Sequence, residues 1–110
     1  MSDAETLEIS MEQAKAKIAR AERLARLQQN PDFKALITEG YMRDFAAEMV
    51  SRKASPNGQD ERNQKFIDNQ ITAIGSLNLY LNLLAQEGRV AEDALRADQQ
   101  EYERVLAEEA

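Results

Sequence analysis

The sequence predicts an all-α protein, a helical bundle of about four helices whose outer members carry coiled-coil-like heptad seams. Three observations predict it. Chain-breaking residues are scarce, with four glycines and two prolines among 110 residues, which favours a few long helices over many short strands. No run of alternating β-branched residues occurs, so a sheet has no candidate strand. Apolar residues instead recur at intervals of three and four, the spacing that lines one face of a helix. A chain of this length forms one domain with a modest core.

The first helix is expected from about residue 4 to 28, with Ser2-x-x-Glu5 or Ser10-x-x-Gln13 as alternative capping boxes. Leu7, Met11, Ala14, Ile18, Ala21 and Ala25 follow one another at alternating steps of four and three. That is a narrow heptad seam rather than a broad core face. Leu24 and Leu27 widen it near the C-terminal end. Fully helical, the segment would measure roughly 37 Å at 1.5 Å per residue. Its first half is therefore read as protruding or pairing with another chain, and the Leu24–Leu27 end as joining the core.

The second helix is expected over about residues 31–52. Asn30 suits the N-cap, and Pro31 at the first helical position gives up an N–H that has no partner there. Asp32 complements the positive end of the helix dipole. Phe33, Leu36, Ile37, Tyr41, Phe45, Met49 and Val50 cover a wide arc, so this helix should touch neighbours on more than one side. Glu39–Arg43 and Glu48–Arg52 are i,i+4 pairs in the favourable order. Gly40 falls on the apolar side and is read as a packing notch for a neighbouring helix.

Residues 53–59 form the loop, where Pro56, Asn57 and Gly58 give a strong turn signal. The third helix is expected over about residues 60–86, with Phe66, Ile67, Ile71, Ile74, Leu77, Tyr80, Leu81 and Leu84 as the centre of the core. Gly88 is read as the left-handed residue that ends it. The fourth helix follows over about residues 90–107. Ala91, Leu95, Tyr102 and Val105 make another narrow seam, and Asp98 interrupts it. Gly75, Leu79 and Leu83 form a second stripe on the third helix, to be covered by the fourth helix or by another molecule.

Charge separates the outer helices. Ser10–Arg26 carries five bases and two acids, a balance of +3, while Arg89–Ala110 carries three bases and seven acids, a balance of −4. Either these are two solvated faces, or the helices attract each other, within a chain or between chains, with charge choosing partner and orientation more than supplying affinity. The net charge of −6 argues against nucleic-acid binding, and the most apolar segment, LNLYLNLLA, is too short to span a bilayer.

Catalytic chemistry finds little to work with. The chain has no histidine and no cysteine, which removes nucleophile–histidine arrangements, thiolate metal sites and Glu-x-x-His di-iron motifs together. The four glycines stand apart, so no phosphate-cradling loop exists. Asp44 and Glu48 are two carboxylates one turn apart that could serve as an acid–base pair or hold a cation. Pairing with nearby bases such as Arg52 is the better account of them. No catalytic, cofactor or metal residue is assigned. The candidate protein-contact residues are Leu7, Met11, Ile18, Gly75, Leu79, Leu83, Leu95 and Tyr102.

Two stretches carry a resemblance. One is NPDFKALITEGYMRDFAAEMV; the other is IGSLNLYLNLLAQEG with the RVAEDAL that follows it. An NPDF-x-x-x-I-x-x-GY helix, a polar loop, an IG-x-L-x-x-YL helix and then G-R-x-A-E resembles small helical proteins encoded among the virion-assembly genes of tailed bacteriophages, over roughly residues 24–95. The resemblance rests on helix caps and packing residues. It implies a non-enzymatic role in particle assembly, a capsid, portal or scaffolding protein as partner, and a place in the host cytoplasm or the virion. The residues themselves suit a self-associating assembly component. The alternative is a small phage-encoded regulator that inhibits a host protein through its acidic last helix.

Overall fold

A computed structural model describes residues 2–110 and contains no strand among them, so the chain is all-α. It has three helices where the sequence suggested four. The first, α1, is Asp3–Gln29. The second, α2, opens as Pro31–Phe33, passes through a π-helical stretch Lys34–Phe45 and ends as the α-helix Ala46–Ala54. A 3₁₀ turn, Pro56–Gly58, leads to α3, Glu61–Glu109. No helix among the described residues is long and apolar enough to cross a membrane.

The helix starts follow local chemistry. Ser2 caps α1, its Oγ accepting from the Glu5 N–H at 3.2 Å. Asn30 Oδ1 accepts from the N–H groups of Asp32 and Phe33 at 2.9 and 3.0 Å, ahead of Pro31. Asp60 Oδ2 accepts from the Asn63 N–H at 3.2 Å at the head of α3. Each bond satisfies a donor that the first turn of a helix leaves open.

The expected break at Gly88 does not occur. No glycine adopts positive φ among the described residues, and α3 runs through this position. A row of side chains explains why. Ile67, Ile74, Leu81, Gly88, Leu95 and Tyr102 recur every seven residues, as do Leu77, Leu84, Ala91, Asp98 and Val105, and all of these are buried or half-buried. One unbroken heptad therefore joins the two helices that the sequence reading separated. Phe66 and Tyr80, expected at the core centre, sit one position outside this row and are exposed.

The chain divides into two compact units. The first joins α1 up to Ala25 with Leu83–Ala110 of α3. It is an antiparallel helix pair, since partners on α3 fall in number as those on α1 rise: Glu8 meets Tyr102, Ser10 meets Asp98 and Arg20 meets Glu87. The N-terminal helix thus lies on the C-terminal half of α3 instead of protruding. Its seam ends on Leu24, which is buried, while Ala25 and Leu27 are exposed.

The second unit is Arg26–Asn82. Met49, only 1% exposed, is buried here, as are Ile67 and Ile74. Gln64 Nε2 donates to the backbone oxygens of Gly58 and Lys53 at 2.7 and 3.2 Å, and Lys53 pairs with Asp68, so the loop is tied to α3. Gly58 is needed where it stands, because a β-carbon there would meet the Arg52 carbonyl oxygen at 2.5 Å.

The π-helical stretch corrects the reading of α2. Phe33, Ile37, Tyr41, Phe45 and Met49 recur every four residues, a period between those of an α- and a π-helix. Widening the turn gathers them into a narrower arc than an α-helix would, and Leu36 and Val50 are left exposed. Tyr41 and Phe45 stack with ring centroids 5.8 Å apart. Gly40 serves this geometry too. The nearest atom to a β-carbon placed there is the Ala35 carbonyl oxygen of the same helix, at 2.8 Å, and no neighbouring helix lies within 4 Å. It is not a notch for another helix.

Candidate functional site: a groove along the antiparallel pair

A concavity of about 370 Å³ runs along one flank of the α1–α3 pair. Ser10, Gln13 and Lys17 form its α1 wall, and Leu83, Glu87 and Val90 its α3 wall. Ala14 and Ala91, both buried, make the floor. Small side chains at the seam let the two helices approach closely, so the larger residues beside them stand up as rims. The rims are mixed in character. Val90 is 61% exposed and Leu83 is exposed beside it, while Lys17 and Glu87 bring opposite charges to the two sides.

Polar contacts pin the pair in register. Ser10 Oγ donates to Asp98 Oδ2 at 2.6 Å, and Tyr102 Oη donates to Glu8 Oε1 at 2.6 Å. The bond to Glu8, together with partial burial and the nearby negative charge, raises the Tyr102 pKa above its ordinary value. Asp98, which reads in the sequence as an interruption of the seam, is thus a partnered group within it. Ser10 looks locally like a capping residue, and nothing in its neighbourhood in the chain points to Asp98. Among the described residues no buried side-chain polar atom lacks a hydrogen-bond partner.

The candidate contact residues separate into two sets. Leu7, Met11, Ile18, Leu95 and Tyr102 are half-buried in the seam of the pair, so their apolar surface is already engaged within the chain. Gly75, Leu79 and Leu83 are exposed, and nothing lies within 4 Å of a β-carbon built on Gly75. The fourth helix cannot cover this stripe, because it is the continuation of the third. Val90, absent from the set inferred from sequence, belongs with the exposed ones.

The two carboxylates weighed for acid–base chemistry are each occupied separately. Asp44 accepts from Arg43 Nε at 2.9 Å, and this hydrogen bond holds its carboxyl below the usual carboxylate range. Glu48 pairs with Arg52 at 2.8 Å. The contrast with Glu39 is instructive. Glu48 and Arg52 sit in the α-helical part of α2, where i,i+4 residues are neighbours. Glu39 and Arg43 lie in the π-helical part, and there Arg43 is bound to Asp44 instead. Among the described residues, no group of three or more His, Cys, Asp or Glu side chains is placed to hold a metal ion.

Comparison with known protein families, with curated proteins and with solved structures returned no match to this chain.

Proposed function

We propose that the protein is a non-enzymatic helical assembly component that acts through helix–helix contacts and self-association. The observation that carries this reading is the exposed apolar surface of α3: Leu79, Leu83 and Val90 face solvent on a helix whose buried row is already complete. Isolated exposed hydrophobic residues are ordinary on a monomer, but a row of them along a helix marks a contact surface. The helical bundle that the sequence predicts is then completed between chains rather than within one. Size-exclusion chromatography with light scattering tests it: concentration-dependent association is expected, and a strict monomer at high concentration overturns it.

The resemblance over residues 24–95 extends the proposal to a tailed-phage virion or morphogenesis component, with a capsid, portal or scaffolding protein as a further partner, in host cytoplasm or particle. The competing reading, inhibition of a host protein by an acidic helix, needs free carboxylates on the last part of α3. There Arg104 binds both Glu101 and Glu108, Arg96 binds Asp93, and Ser10 binds Asp98. These pairs are exposed and worth about 0–1 kcal/mol each, so they leave the helix acidic, and the assembly reading rests on the apolar row.

A further inference from the structure

Leu83, Glu87, Val90, Ala94 and Ala97 are all exposed and follow one another at steps of four, three, four and three. This is a second heptad row beside the buried one. A helix with one partner needs one such row, and a second row is what a second helical neighbour requires. We infer that the groove between this row and the Ser10–Gln13–Lys17 edge of α1 seats a second copy of this chain, with α1 of each copy lying on α3 of the other. The inference rests on the self-association proposed above and assigns it a face and a geometry.

Charge selects this occupant. The basic balance of α1 is +3 over Ser10–Arg26, and the stretch of α3 that faces it in the observed register, Leu83–Asp98, carries four acids and two bases, a balance of −2. Within one chain only Arg20, paired with Glu87, links the two helices by an ion pair among the described residues. Lys15 is bound to Glu12 on its own helix, and Lys17, on the groove wall, has no ion-pair partner among the described residues. A two-fold axis parallel to the helices sets each basic α1 against the acidic α3 of the other copy. Along Ser10–Arg26 and Leu83–Asp98, all four edges of the resulting four-helix arrangement then pair opposite charges. The opposite choice, α1 on α1 and α3 on α3, would set like charges together.

The absence of cysteine from the sequence gives a clean test. Wild-type protein should show twice the 12.4 kDa mass of one chain by light scattering. Val90→Glu should weaken association by about ten-fold or more with its helical circular dichroism unchanged, because Val90 is exposed. Leu36→Glu, a change at a residue 70% exposed and outside the groove, should leave association intact. Lys17→Cys and Val90→Cys variants mixed and oxidised should form a mixed disulfide dimer in preference to either homodimer. A monomeric wild type overturns the self-association reading and this inference with it. An associated wild type whose Val90→Glu form still associates, or a mixture that yields no mixed disulfide, overturns this face alone.

Discussion

Gly88 packs against Ala21 so closely that a β-carbon added to the glycine would overlap the alanine Cβ, far inside van der Waals contact. A Cβ cannot swing aside, because the backbone fixes its position, so an added methyl can be accommodated only by parting the helices. Gly88→Ala should therefore lower stability despite its better helix propensity, worth about 1 kcal/mol. Overpacking costs about 1–3 kcal/mol, which leaves a net loss of up to about 2 kcal/mol, a fall of up to roughly 10 °C in Tm. Gly75→Ala is the internal control. That site is open, and the same exchange should stabilise by about 1 kcal/mol. Equal stabilisation by both changes, read by thermal denaturation, would contradict the close contact.

The Ser10–Asp98 bond makes a second pair of expectations. Ser10→Ala removes the donor and leaves a half-buried carboxylate without it, which should cost about 1 kcal/mol in chemical denaturation. Asp98→Leu replaces a polar group in the seam with an apolar one. It should raise the denaturation midpoint while loosening the register of the helix pair, the usual exchange when a polar seam position is removed. If Asp98→Leu proves less stable than Ser10→Ala, Asp98 does more than accept this bond.

These residues also show which parts of the fold the sequence could reveal. The Asn30–Pro31 entry to α2 is legible because every group that satisfies the helix end lies within three residues of it. Gly88 is misread for the converse reason. Glu87-Gly88-Arg89 has the local form of a helix end, and Ala21, distant in the chain, decides otherwise. Phe66 and Tyr80 are misplaced because a wheel drawn at 3.6 residues per turn groups them with Ile67 and Leu81, whereas the packed row keeps a period of seven. The groove is legible in part. Leu83 stood out through its stripe, but Val90 sat across the expected break and was separated from it.

The π-helical stretch predicts an unusual glycine effect. In an ordinary α-helix Gly40→Ala should stabilise. Here the added carbon would meet the Ala35 carbonyl oxygen at 2.8 Å, so the wide turn must narrow or strain. Narrowing it rotates Phe33 and Ile37 relative to Phe45 and Met49, which share one face. Gly40→Ala should lower stability by about 1–3 kcal/mol and disturb the stacked Tyr41–Phe45 pair, visible as a change in tyrosine fluorescence. A stabilised variant with unaltered fluorescence would count against the wide turn.

Tyr102 supplies the pH dependence. Its phenol donates to Glu8, and the folded chain holds this proton more tightly than the unfolded chain does. A raised pKa contributes stability that is fully present below the unfolded value of about 10 and is lost as pH rises through the folded value. Melting temperature should therefore decline more steeply for wild type than for Tyr102→Phe as pH is raised from about 9 to 11. Below about pH 9 the two curves should run parallel, with the wild type higher by the worth of the bond. Arg104 titrates above this window, its pKa raised first by the hydrogen bond with Glu101 and then by the charges of Glu101 and Glu108. That neighbour therefore stays charged throughout and does not mask the effect. Parallel alkaline profiles for the two proteins would show that the Tyr102–Glu8 bond does not contribute to holding α1 on α3.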